Sequence, residues 1–298
     1  MHSAPRQYGR WTIRTLIVLS LACCLIIPSV APALELQWAS LGKGLTAGIW
    51  RPGERCPETD RFLVLEVDPE QYRFSVHYFT HEGLAHPPLI DEWQKRTGHL
   101  AVFNAGLFRE NFAYLGLLLK DGQSLGSRRH PTWHGLLVAE PTDGTSPKAR
   151  ILDLTVDAFR EDRPGYREAA QSLMLLDGAG TVRVRHTDKR AYQTLVAEGM
   201  NGHIIIVKSL SLVTLHGVGE CLRNSFTPIK LAMAMDGGSS SDLFVSEAAW
   251  KGTVLPDSQG NWRDLFAGHS TAHIPLPAVI GISPREPGAP AISGPTKP

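Results

Sequence analysis

The stretch Lys230-Leu-Ala-Met-Ala-Met-Asp-Gly-Gly-Ser-Ser-Ser-Asp-Leu-Phe-Val245 decides how the rest of the chain is read. An apolar run from Leu231 to Met235 stops at Asp236, two glycines and three serines follow, and apolar residues resume at Leu243. The pattern predicts a buried strand, a tight polar turn and a second short strand. It leaves a carboxylate at the strand's carboxyl end beside Gly237 and Gly238, whose missing Cβ lets backbone N–H groups approach a ligand. The hydroxyls of Ser239, Ser240 and Ser241 follow. The competing reading is a plain hairpin turn in which the Asp side chain bonds its own backbone.

A similar arrangement lies upstream. His99 to Phe103 reads as a strand running into Asn104-Ala-Gly-Leu-Phe-Arg109, again a polar residue and a glycine after an apolar strand end, and strand ends are where sites are commonly built. Further strands are expected at Arg61 to Val67, at Tyr72 to Tyr78 with alternating burial, at Leu115 to Leu119, at His134 to Ala139 and at Gly202 to Lys208. Ser172 to Leu176 and Thr181 to Arg185 read as a hairpin. Helices are expected at Pro88 to Arg96 and along Leu212, Leu215, Val218 and Leu222, with helical pieces from Ile151 to Gln171 broken at Pro164-Gly165. Ile274 to Ile282 closes the chain as a strand, its Pro275 and Pro277 suiting an edge. Many hairpins and few helices predict an α+β fold, with mixed, largely antiparallel sheets and a few packed helices in a single domain.

At the amino terminus, Arg6, Arg10 and Arg14 precede the apolar stretch Leu16 to Ile27, and Ala31-Pro-Ala33 offers small residues to a signal peptidase. Residues 1–33 thus read as a secretory signal cut after Ala33, with an uncleaved anchor as the alternative. The protein is expected in the periplasm or secreted, with no stable membrane insertion after cleavage. Residues 283–298 are rich in Pro, Gly and Ser and read as a disordered tail, which leaves 34–282 as the domain. The formal net charge of +1 gives no case for nucleic acid as partner. Cys56 and Cys221 survive signal cleavage, and either a disulfide or two buried thiols fits.

Metal and hydrolase motifs give little. His77, His81 and His86 read as surface histidines, and His130 and His134 flank Pro131, which breaks a shared helical face; no metal and no cofactor is expected. Gly122-Gln-Ser-Leu-Gly126 matches the nucleophile elbow around Ser124, but Ser127-Arg-Arg-His-Pro131 is a poor helix start where the elbow needs a helix.

Asn104 to Arg109 and Met235 to Ser240 resemble the two signature segments of the phosphodiester glycosidase family. The likeness extends in order through Gln171-Ser172, Ala191 to Lys208, Leu210 to Leu222 and Pro277 to Ile282, spanning about Phe62 to Ile282. A mammalian member removes N-acetylglucosamine from a phosphodiester to expose mannose 6-phosphate. The resemblance implies an exported hydrolase acting on a sugar-1-phosphodiester, with a carbohydrate phosphodiester as partner and no cofactor. Its alternative is a non-catalytic relative that binds phosphorylated glycan. It implies Asp236 and Asn104 as catalytic residues, with Gly106, Arg109, Gln193, Gly237, Gly238, Ser239 and Ser240 binding substrate through backbone amides, hydroxyls and charge. Glu110, Glu198 and Asp242 are candidates for a second carboxylate. Two positions depart from the family pattern. Gln193 stands where Arg usually precedes the Thr, and Ser239 where a third Gly is usual. Either Lys189 or Arg190 substitutes for the missing charge, or the activity or substrate has shifted.

Overall fold

The computed structural model describes residues 36, 38–59, 61–226, 229–256, 261–268 and 273–285. The expected signal segment 1–33 lies outside them, as does 286–298. The tail expectation fails at its start, because Ser283 and Pro284 continue the last strand and Arg285 forms a two-pronged pair with Glu140.

The strands in chain order are β1 (Trp38–Gly42), β2 (Leu45–Trp50), β3 (Phe62–Val67), β4 (Tyr72–Tyr78), β5 (Ala101–Asn104), β6 (Leu118–Lys120), β7 (Gln123–Ser124), β8 (Gly135–Pro141), β9 (Ala149–Asp153), β10 (Tyr166–Leu176), β11 (Arg190–Ala191), β12 (Thr194–Gly199), β13 (Ile204–Ser209), β14 (Val213–Thr214), β15 (Ile229–Ala234), β16 (Leu243–Val245) and β17 (Ala278–Pro284). The helices are α1 (Ile90–Thr97), α2 (Leu215–Ser225) and the short α3 (Glu247–Trp250) and α4 (Trp262–Phe266). The fold is α+β, as the sequence predicts.

An eleven-stranded sheet runs β1-β2-β3-β13-β12-β15-β10-β6-β7, with β8 on β10 and β9 on β8. A four-stranded sheet runs β16-β5-β17-β4. All pairings between these strands are antiparallel. Alternation along the central strands divides the core in two. Leu195, Ala197, Ile205, Val207, Ala232 and Ala234 face Val218, Cys221 and Leu222 of α2. Val196, Ile204, Ile206 and Met233 face the other way, into the core shared with Phe103, Leu243 and Ile280 of the smaller sheet. With both faces covered, β12 and β13 are buried throughout and read as continuous apolar runs. Cys56 and Cys221 are joined by a disulfide, their Cα atoms 5.2 Å apart, which ties α2 to the loop before β3.

Several expectations need correction. Residues 151–171 hold no helix; β9 and the long β10 occupy them, and Pro164-Gly165 lies in the turn just before β10. Gly217 and Gly219 do not interrupt α2. A Cβ on Gly217 would lie 2.5 Å from Glu58 Oε1 and one on Gly219 2.8 Å from Val182, so both glycines permit close packing. Leu212 precedes the helix and is exposed. β17 is a central strand between β5 and β4; Pro275 and Pro277 stand before the ladder and cost it no hydrogen bond. His77 is not a surface residue: its Nε2 lies 2.7 Å from His99 Nε2 and its Nδ1 2.8 Å from Glu82. Ser124 sits in the exposed two-residue strand β7, with no helix following.

Candidate active site

The organising stretch is not a hairpin. β15 belongs to the large sheet and β16 to the small one, so the Asp-Gly-Gly-Ser-Ser-Ser turn carries the chain from sheet to sheet. Register shows where it leaves. Ala234 pairs with Leu173 on one side and Leu195 on the other, and Met235 N–H still donates to Thr194 O at 2.9 Å. The next N–H, that of Asp236, donates instead to Ala105 O at the end of β5, at 3.2 Å.

Asn104 fastens this crossing. Its Nδ2 donates to Asp236 O at 2.8 Å and, more weakly, to Ala105 O at 3.2 Å; its Oδ1 accepts Asp242 N–H at 2.9 Å. The side chain is 1% exposed. The Asn104 side chain therefore meets the Asp236 backbone across 132 positions. Both of its N–H donors and one of the two Oδ1 lone pairs are engaged, so in this structure the Asn104 carboxamide holds the two strand ends together.

The Asp236 carboxylate is half-buried at the mouth of the turn. Desolvation pushes its pKa up to about 6, against hydrogen bonds from the Ser240 hydroxyl and the Gly237 N–H and the charge of Lys189. At neutral pH it is an ionised group held in partly apolar surroundings, the state suited to a nucleophile, a base or a stabiliser of developing positive charge.

The three glycine amides expected to cradle substrate are already used. Gly106 N–H donates to Tyr114 Oη at 3.0 Å, Gly238 N–H to Tyr192 O at 2.8 Å, and Gly237 N–H to the Asp236 carboxylate. Gly106 is glycine for a steric reason, since a Cβ there would fall 2.5 Å from Tyr114 Oη and 2.6 Å from Gln171 O. Ser240 is buried and bonded to Asp236, whereas Ser239 is exposed at the turn. Arg109 is exposed in a tight turn where Phe112 N–H donates to Arg109 O, and no contact joins it to Asp236.

Gln193 stands beside the turn. It directly precedes β12, is 7% exposed, and its Oε1 comes within 2.8 Å of where a Cβ on Gly237 would stand. Its backbone is fixed by Ser209, through Ser209 Oγ at 2.8 Å and Ser209 N–H at 2.9 Å. Of the two candidate substitutes for a charge here, Arg190 is directed to Glu58 at 3.7 Å, while Lys189 acts on Asp236.

Three residues with no assigned role in the sequence complete the floor. Tyr114, fully buried with its hydroxyl pKa raised by burial, donates to Gln171 O at 2.8 Å. Gln171 in turn holds the 127–133 loop, its Oε1 accepting His130 N–H at 2.8 Å and its Nε2 donating to Trp133 O at 2.6 Å. Lys208 is 1% exposed, its Nζ donates to Ser241 Oγ at 3.1 Å, and burial lowers its pKa to about 8 against the pull of Asp242. Gln171 and Lys208 lie in segments that carry the resemblance, and Lys208 also ends the apolar run His-Ile-Ile-Ile-Val; Tyr114 offered no sequence signal. Asp242 is buried against His273 Nδ1 at 2.5 Å. Of the other carboxylate candidates, Glu198 is spent on Ile151 N–H and Lys230, and Glu110 is exposed. Among the described residues no cluster of three or more His, Cys, Asp or Glu could hold a metal ion.

No family model matches the chain, and no curated protein matches it in sequence. Solved structures do match in fold. A hypothetical protein from Synechocystis superposes with a TM-score of 0.53 at 12% identity, over 86% of this chain and 65% of that one. The catalytic domain of zebrafish N-acetylglucosamine-1-phosphodiester alpha-N-acetylglucosaminidase, auto-inhibited by its pro-peptide, superposes with a TM-score of 0.52 at 14% identity, over 86% of this chain and 85% of that one. The chain shares a fold with an enzyme domain. At these identities the likeness is one of fold alone.

Proposed function

We propose that this protein is an exported hydrolase that cleaves the glycosidic bond of a sugar-1-phosphodiester, of the N-acetylglucosamine-1-phosphodiester kind, in a cell-envelope or extracellular glycan. The observation that carries the reading is Asp236, an ionised, partly desolvated carboxylate held at the sheet-to-sheet crossing by Asn104, Ser240 and Gly237. The fold shared with a phosphodiester glycosidase domain supports it, and a disulfide suits an exported protein.

The chemistry follows from the leaving group. Phosphate departs as a stable anion, so little proton donation is needed as the anomeric C–O bond breaks. One carboxylate then suffices to meet the oxocarbenium-like carbon, either by bonding to it or by drawing a proton from the attacking water. Water supplies a hydroxyl to the sugar, and its proton passes to the phosphomonoester or to solvent.

Gln193 favours the competing reading, a non-catalytic phosphoglycan-binding relative, because it supplies no charge at a place suited to phosphate. Incubation of the purified protein with a panel of sugar-1-phosphodiesters decides between them. Release of free sugar, lost in Asp236→Asn, is expected; binding without release by the native protein would establish the competing reading.

A further inference from the structure

Asp236 takes hydrogen bonds from the Gly237 N–H and the Ser240 hydroxyl, both in the turn that follows it. That turn is fastened at two points. Gly238 N–H donates to Tyr192 O at 2.8 Å, and Ser241 Oγ lies 2.9 Å from Thr194 Oγ1. One side chain meets both fastenings. Lys208 of β13 donates from Nζ to Ser241 Oγ at 3.1 Å, and the same Nζ stands 5.1 Å from the centre of the Tyr192 ring. It is 1% exposed. An ammonium only donates, so the Ser241 hydroxyl must accept from it, and a neutral amine would impose no such direction. The groups that face this ammonium are few. Asp242 supplies the opposite charge, with His273 bonded to Asp242, while the ladder partners Thr194 of β12 and Leu63 of β3 carry none.

We propose that Lys208 is a positioning residue of the candidate active site: its buried ammonium holds Ser241 and Tyr192, and through them keeps the 237–240 turn in the shape that hydrogen-bonds Asp236. Turnover then requires the protonated lysine, a consequence that rests on the hydrolase reading above. A role in holding the fold does not account for the charge, because an apolar side chain of similar length would fill the same space at least as favourably. Burial lowers the Lys208 pKa to about 8. The fastening therefore loosens as pH rises through that value, and turnover acquires an alkaline limb there.

The test compares the purified protein with Lys208→Met. On a sugar-1-phosphodiester the variant should lose about ten-fold or more in kcat with KM changed less than about two-fold, its melting temperature should not fall, and the alkaline limb near pH 8 should vanish. Amide hydrogen exchange at pH 7 gives a reading that needs no turnover: Gly238 and Ser241 should exchange about ten-fold faster in the variant, while amides of the β4–β17 ladder keep their native rates. Ser241→Ala removes the acceptor and leaves the lysine in place, which provides a second route should Lys208→Met fail to fold. It should reproduce the lower kcat and the flat limb, and the double variant should fall no further than Lys208→Met alone. Unchanged kcat, a limb that persists without Lys208, additive losses, or faster exchange spread equally over both segments overturns the proposal. A native protein that releases no sugar sinks the hydrolase reading instead, and exchange at Gly238 and Ser241 then decides whether Lys208 holds the turn.

Discussion

Asp236 carries two linked expectations. Its raised pKa means that the folded protein holds the proton more tightly than the unfolded chain between the ordinary carboxylate value and about 6. Stability therefore falls as pH rises through that window, and ionised Asp236 is a cost at neutral pH. Asp236→Asn should abolish turnover while stabilising the fold at pH 7.5 by about 1 kcal/mol, after allowance for solvent screening. A lower melting temperature would argue that the carboxylate supports the turn rather than straining it. In the native protein the acid limb of kcat/KM should bend near pH 6, where Asp236 ionises. Asn104→Ala acts differently. It leaves Asp236 O and Asp242 N–H without their partner and should cost about 3 kcal/mol. Urea titration measures this, and a loss of turnover with unchanged stability would mean that Asn104 touches substrate after all. Gln193→Arg would place a fixed charge beside Gly237 and should raise turnover of a sugar-1-phosphodiester; kinetics unchanged by it would remove this position from the site.

Two element-level features set how the layers hold together. The disulfide closes a loop with a sequence separation of 165, from Cys56 in the segment before β3 to Cys221 in α2. Chain-entropy arguments give about 5 kcal/mol for a loop of that length, as an upper bound. Cys56→Ala with Cys221→Ala should lower the urea midpoint markedly, and reduction of the native protein should do the same; a midpoint unmoved by both would show that α2 is held by packing alone. The smaller sheet carries the second feature, the His77–His99 pair, faced by Glu82, Lys120, Asp121 and the ring of Trp93. Burial lowers both imidazoles, His99 to about 4. The unfolded chain then binds more protons below the ordinary histidine value, so stability is full above about pH 6.5 and drains away toward pH 4. Melting temperatures across that range should slope more steeply in the native protein than in His99→Asn, and equal slopes would remove the pair from the account.

At the scale of the molecule, two sheets share one core and the candidate site sits where the chain passes between them. That placement makes the site depend on the relative position of both sheets, held locally by Asn104, Tyr114 and Gln171. Gly106→Ala should therefore disturb both stability and activity, since the new methyl would press on Tyr114 Oη and on backbone at Gln171 O. A cost of about 2 kcal/mol is expected, and a neutral outcome in thermal melts would mean that the floor is looser than its hydrogen bonds suggest. Export belongs to this scale as well. Secreted material is expected to begin at Leu34, and an intact mass retaining Met1 to Ala33 would contradict a cleaved signal.

What the sequence by itself determined was the pattern: apolar runs with period two, the polar breaks at Asn104 and Asp236, and the α+β balance. These are local properties, and burial on one or two faces of a strand writes them directly into residue order. The sequence reads Ser172 to Leu176 of β10 as strand but Tyr166 to Gln171 as helix, because a long strand buried along most of its length shows no clean alternation. Packing alone sets that the Asp-Gly-Gly turn crosses between sheets, that the glycine amides are spent internally, and that Gln193 lies against Gly237 while Arg190 turns to Glu58. Each of these depends on which partner a donor meets across tens of residues. A hydrogen bond forms only at contact distance, and contact distance is set by packing of the whole core rather than by neighbours in the chain.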